Sequence, residues 1–249
     1  MRPITTMAVA GVLLFGGCAA GEGAQLDTIP PTSATIGPLP TLPETTAAAT
    51  TEPAPTATLP DGVIGLSADG PWTLVDSAPG VTTPGLVYEL MPGLWVYLPL
   101  VEDIPNGITW TFNEADRPII EAYLQARLVF FQAVTASPMD FSSEDWNQFY
   151  VDGGERLLAV VAPLNDAGQV LDLDAGVVLR PTVGGDGRTE TDALVLDCIL
   201  NGSVFRTSDG SLANGSTPGV GRDGQGSSMR LDGATWKLDR ISEAEFACA

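Results

Sequence analysis

The sequence predicts an α+β fold, on two observations. From residue 116 to 164 apolar side chains recur at helical spacing, and from 169 to 241 the period switches to two, with turn residues between the runs. Helices followed by consecutive strands give helices packed on an antiparallel meander.

The elements follow in order. Trp72–Val75, Leu86–Leu90, Leu94–Leu98 and Ile108–Phe112 are short β-type runs, separated by Ala78-Pro-Gly80, Met91-Pro-Gly93 and Ile104-Pro-Asn-Gly107. They predict a β-rich N-terminal lobe over 62–112. A long helix then covers about 116–136. Asn113 or Asp116 can cap it, and Pro118 falls in its first turn. Ile120, Tyr123, Leu124, Arg127, Leu128, Phe131 and Val134 share one broad face, and Ser137-Pro138 ends the helix. A second, short helix starts after Ser142-Ser143, carries Trp146, Phe149 and Tyr150, and is broken by Gly153-Gly154. A third runs from Glu155 to about Leu164 and carries Leu157, Leu158, Val160 and Val161. Strand candidates are Gln169–Leu173, Gly176–Val183, Thr189–Leu200, Ser203–Thr207, Gly226–Leu231 and Thr235–Ile241. Asp186-Gly187 and Asp232-Gly233 are tight-turn signals. The run Thr217–Gly226 lacks the strand and helix that a phosphate loop needs, and it is expected to be a hairpin loop.

The first residues carry a different kind of information. Arg2 is followed by the apolar run Met7–Phe15, two glycines and Cys18. A charged start, an apolar stretch and small residues make an export signal. Leu14-Phe15-Gly16-Gly17-Cys18 resembles the lipobox of bacterial lipoproteins, with Phe15 where that family usually has Leu. The resemblance implies a signal peptide over 1–17 and lipidation of Cys18. Residues 18–61 are then a tether. The stretch is rich in Thr, Pro and Ala and has no aromatic residue, Lys or Arg, so it buries too little apolar surface to offset ordering. Fully extended, it would reach roughly 130 Å.

Charge narrows the partners. Lys and Arg number 11 against 31 Asp and Glu, a formal net charge of −20. Such a chain is repelled by nucleic acid and carries no basic phosphate-binding patch. There is no histidine, which removes the commonest general base, the Ser-His-Asp and Cys-His arrangements and most zinc sites. No metal or cofactor is expected. Asp172-Leu-Asp174 has the wrong spacing for a calcium loop. With Cys18 taken by lipid, Cys198 and Cys248 remain as a pair in an exported chain, and a disulfide between them is expected. It would be worth at most roughly 4 kcal/mol in the chain-entropy model.

The order of helices and strands over 113–249 resembles the nuclear transport factor two-like superfamily. The run Ala193-Leu-Val-Leu-Asp-Cys198, the segment Leu231-Asp-Gly-Ala-Thr-Trp-Lys-Leu238 and the late Cys248 are similar to exported actinobacterial members. The resemblance implies a cone of three helices against a curved antiparallel sheet. It also implies that the late cysteine ties the tail back to the sheet. It does not imply a function, because that superfamily holds isomerase-like enzymes, ligand carriers and interaction modules.

Two constellations stand out as candidates. Enzymes of that superfamily place an Asp in the cone, often with His or Tyr. Here Asp197 alternates with Val195 and Ile199, and a carboxylate among apolar neighbours would have a raised pKa. Tyr123 or Tyr150 would then donate to an oxyanion. The alternative places Asp197 on a strand edge or a solvated face and both tyrosines in the core. Trp95 and Tyr97 share one face of a strand. If exposed they would stack on cell-wall sugars or grip a partner, and otherwise they form a small core.

The functional expectation is a lipid-anchored protein on the outer face of the cytoplasmic membrane, working as a non-enzymatic interaction module with an envelope protein as partner. The alternatives are binding or isomerisation of a small apolar ligand in the cone, and glycan binding by the aromatic N-terminal lobe.

Overall fold

The computed structural model describes residues 59, 62–100, 112–173, 175–185, 188–244 and 248. The expectations for Cys18, the signal peptide and nearly all of the tether, the Ile104–Gly107 separator, the Ile108–Phe112 run apart from Phe112, Asp174 and the Asp186-Gly187 turn lie outside these.

Three strands come first: β1 (Thr73–Val75), β2 (Gly85–Met91) and β3 (Leu94–Pro99). Three helices follow: α1 (Arg117–Thr135), α2 (Asp145–Phe149) and α3 (Glu155–Asp166). Seven strands complete the order: β4 (Val170–Asp172), β5 (Val177–Leu179), β6 (Pro181–Val183), β7 (Asp192–Asn201), β8 (Val204–Arg206), β9 (Gly221–Asp232) and β10 (Thr235–Glu243). The architecture is α+β.

The sheet is mixed. Its order is β1-β2-β3-β5-β7-β9-β10, with β6 also paired to β7, while β4 and β8 form a separate two-stranded ribbon. The β3–β5 contact is parallel, Leu94 to Val96 lying opposite Val177 to Leu179, and the other pairings are antiparallel. Parallel neighbours need a long crossover. Here α1, α2 and α3 all lie in it. The β-rich segment before the helices and the meander after them therefore share one sheet.

Alternation along the strands sorts two faces. Leu86, Tyr88, Val96, Leu98, Val177, Leu179, Val195 and Ile199 join the main core with α1, where Ile120, Tyr123, Leu124 and Val134 are buried as their spacing requires. The opposite face carries two smaller clusters. One joins Ala78, Val87, Tyr97 and Val178, and the other joins Leu196, Cys198 and Ala244 with Cys248 against them.

The ends of α1 have local causes. Pro118 occupies its first turn and Asp116 its cap position, but the Asp116 side chain makes no capping bond. It pairs with Arg188, while Asn113 Oδ1 accepts from the Asp116 amide at 3.1 Å. The Asp232-Gly233 turn closes the β9–β10 hairpin, with Gly233 at φ +63°. The expected hairpin loop over Thr217–Gly226 is corrected. β9 begins at Gly221, and Gly221, Arg222, Asp223 and Gly224 pair with Asn201, Leu200, Ile199 and Cys198. Glycine lowers strand propensity but does not forbid the ladder when the neighbouring strand supplies it. Among the described residues no helix is long and apolar enough to cross a membrane.

The Cys198–Cys248 disulfide is present, joining residues 50 positions apart in sequence with Cα atoms 5.0 Å apart. It holds Cys248 on the outer face of β7, where the Ala244 amide also donates to the Gly224 carbonyl at 2.8 Å.

Candidate functional site

Tyr123 and Asp197 meet in the middle of the main core. Tyr123 comes from the centre of α1, on the face set by Ile120, Leu124 and Arg127. Asp197 comes from the central strand β7, between Val195 and Ile199 on the face turned to α1. The phenol donates to Asp197 Oδ2 at 2.6 Å. The other oxygen, Oδ1, accepts from the Arg180 amide at 2.6 Å. Pro181, opposite Asp197 in the β6–β7 ladder, has no N–H to give. The carboxylate thus takes up a backbone donor at a kink between β5 and β6.

Arg127 joins them from the next turn of α1. Its guanidinium donates to Gln225 Oε1 at 3.2 Å and lies 5.1 Å from the Phe131 ring centre and 5.6 Å from that of Phe130. Gln225 is the β9 residue opposite Asp197. Two buried side-chain atoms near this belt, Arg127 Nε and Ser227 Oγ, have no hydrogen-bond partner. A buried cation needs compensation. Across the same layer the Arg127 charge favours the ionised form of Asp197.

The electrostatics follow from burial. Desolvation pushes Asp197 above the ordinary carboxylate value, and the hydrogen bond from Tyr123, the Arg127 charge and the Arg180 amide pull it partly back. Burial pushes Tyr123 well above the usual phenol value, and the neighbouring Asp197 charge adds to this. Tyr150 is raised by burial too, against the lowering influence of Arg127.

Chemically this is a proton-bearing pair with no way in. Tyr123 and Asp197 are each 0% exposed, so solvent reaches neither side chain. Of the three residues named from the sequence, the structure brings two into direct contact. Tyr150 goes elsewhere: its hydroxyl donates to the Ala126 carbonyl at 2.7 Å and fixes α2 to α1. Asp197 sits at the sheet centre, neither at an edge nor on a solvated face. Sequence reasoning placed Arg127 on the broad face of α1 without assigning it to the site, and it did not name Gln225. A cation inside an otherwise apolar helical face was the available signal for Arg127.

Trp95 and Tyr97 lie on the other face of the sheet and present no flat exposed pair. Tyr97 is 2% exposed. Its hydroxyl is hydrogen-bonded with Thr83 Oγ1 at 2.7 Å and donates to the Pro84 carbonyl at 3.1 Å, and the Arg180 guanidinium lies 5.5 Å from its ring centre. Trp95 is half-buried against Gly176, where a Cβ would come within 2.8 Å of its ring. Asp172 is ion-paired with Arg206 across β4 and β8.

Fold and site together define an α+β domain with a closed, polar-stitched interior. No protein-family profile matches the chain, and no curated protein matches it in sequence. Among solved structures it is similar to the intermembrane space region of chloroplast protein ARC6, at 15% identity and a TM-score of 0.34, over 49% of this chain and 95% of that one.

Proposed function

We propose that this chain is a lipid-anchored protein of the cell envelope, held at Cys18 on the outer face of the cytoplasmic membrane. Its folded domain, in this reading a nuclear transport factor two-like cone, acts as a non-enzymatic module that contacts another envelope protein. The observation that carries the proposal is the closed interior around Tyr123 and Asp197. Where a ligand-binding cone would leave a space lined by its carboxylate, this one is filled by its own phenol, guanidinium and amide. The export-like start of the sequence and its formal net charge of −20 support the same reading, because such a charge favours solubility and selects for cationic surfaces.

The direct Tyr123–Asp197 hydrogen bond favours a second reading, in which the pair serves a small apolar ligand after the cone opens. Crosslinking in intact cells separates the two. The interaction module yields a specific crosslinked partner of the full-length protein. Stoichiometric binding of an apolar fluorescent probe with no recovered partner would sink it in favour of the ligand reading.

A further inference from the structure

We propose that the outer edge of β10, over Arg240–Glu243, and the exposed side of α3 form a docking groove for an extended, basic peptide segment of the partner. This rests on the interaction reading above and names the surface and the chemistry it would use.

The sheet ends at β10. An edge strand presents unpaired N–H and C=O groups that can accept another strand. Part of this edge is taken: Tyr150 forms a parallel bridge with Leu238. The chain then leaves the edge abruptly. Asp152, Gly153 and Gly154 follow at φ +53°, +61° and +76°, a left-handed run. A Cβ at Gly154 would come within 2.8 Å of the Trp146 ring, so this turn is tightly seated. The turn carries α3 outward and leaves a cleft of about 360 Å³ between α3 and the middle of β10, Leu238 to Ile241, so that only Arg240 and Ile241 belong both to the cleft and to the open edge.

The walls suit a strand. Leu157 and Val160 line the cleft from α3, and Leu238 and Ile241 line it from β10. α3 is under-buried for its composition. Of Leu157, Leu158, Val160, Val161 and Leu164 only Val161 is buried, and Val160 is 51% exposed. An added strand would bond to the edge and set alternate side chains against these residues.

Charge selects the occupant. Asp239 is already held by Arg156 and Arg230, both at 3.6 Å. The cleft is lined by three carboxylates, Asp152, Glu155 and Asp239, against two guanidiniums, Arg156 and Arg240, and Asp152 and Glu155 have no ion-pair partner among the described residues. A second copy would bring −20 against −20, and the chain's own 19–61 stretch has no Lys or Arg to offer. A basic segment of another protein meets the lining and the long-range field together.

The test uses full-length protein in detergent micelles. Amide hydrogen exchange over Arg240–Glu243 is followed while an alternating Lys-Val peptide or an alternating Glu-Val peptide is added. The Lys-Val peptide should slow exchange there severalfold, the Glu-Val peptide should not, and the double variant Asp152→Asn/Glu155→Gln should lose the preference. Equal protection by both peptides, or by neither, overturns the proposal. In cells, a photocrosslinker placed at Val160 should join a basic segment of another protein. Crosslinks from Val160 to a second copy alone would also overturn it. A partner captured only from Leu212, which is 40% exposed on another part of the surface, would remove the groove and leave the interaction reading standing. No partner from either position, with apolar-probe binding, would remove both.

Discussion

Tyr123 donates to Asp197 across 74 positions of sequence, at 2.6 Å and with neither residue reached by solvent. This one bond ties the long helix to the central strand. Removing it leaves a buried carboxylate with its backbone partner alone. Tyr123→Phe should therefore cost about 2 kcal/mol, the scale for a hydrogen bond to a charged group. Urea unfolding of the two proteins measures it. An unchanged midpoint would mean that the carboxylate is satisfied some other way.

The same pair gives a pH signature. Burial raises the folded pKa of Asp197 above its unfolded value. Between those values the native state keeps a proton that the unfolded chain has lost. Stability from this group is thus full below the ordinary carboxylate value and declines as pH rises through the raised one. Asp140, Asp209 and Asp232 are exposed and shifted down by local hydrogen bonds, so their contributions fade in the opposite direction, as pH falls. Subtracting the stability of Asp197→Asn from that of wild type isolates the first effect. The difference should shrink from pH 4 upward through the acidic range. A difference that grew with pH would contradict the assignment.

The Cys198–Cys248 bridge closes a span of 50 positions. Its loss should lower stability by up to roughly 4 kcal/mol. Cys198→Ser/Cys248→Ser should melt earlier than wild type under oxidising conditions, and the two should converge once reductant is added. Peptide mapping without reductant should recover the joined pair.

Gly154 stands at φ +76° with the Trp146 ring where a Cβ would go. Gly154→Ala meets both backbone strain and a clash. The expected loss exceeds about 1 kcal/mol. Gly168, also at positive φ but with open space around it, is the control, where Gly168→Ala should cost less.

Cys18→Ser separates an anchored protein from a freely secreted one. Wild type should incorporate labelled fatty acid and fractionate with membranes, and the variant should do neither. Equal label in both would remove lipidation from the proposal.

Local pattern made much of the fold legible. The Ile120-to-Val134 spacing yields α1 to within a residue or two, and Asp232-Gly233 yields the last hairpin. What stayed hidden was long-range. The β3–β5 pairing joins segments about 80 positions apart, and neither run carries a mark of its neighbour. Glycines at 221, 224 and 226 concealed the first half of β9, because the ladder there is imposed by β7. At the candidate site the residues could be named but their partnership could not. Asp197 and Tyr123 stood out as a carboxylate and a phenol on apolar faces. That they satisfy each other, and leave Tyr150 to a helix carbonyl, depends on how α1 crosses the sheet.

The parallel join of β3 to β5 also dictates when this chain can fold. The hairpin before the helices finds its neighbour only after the whole crossover has been made. β7 lacks its ten-position partner until Gly221–Asp232 exists. Contacts this distant in sequence close slowly. Completion of the sheet thus waits on its last strands, so a chain cut before Gly221 would leave one long edge of β7 open.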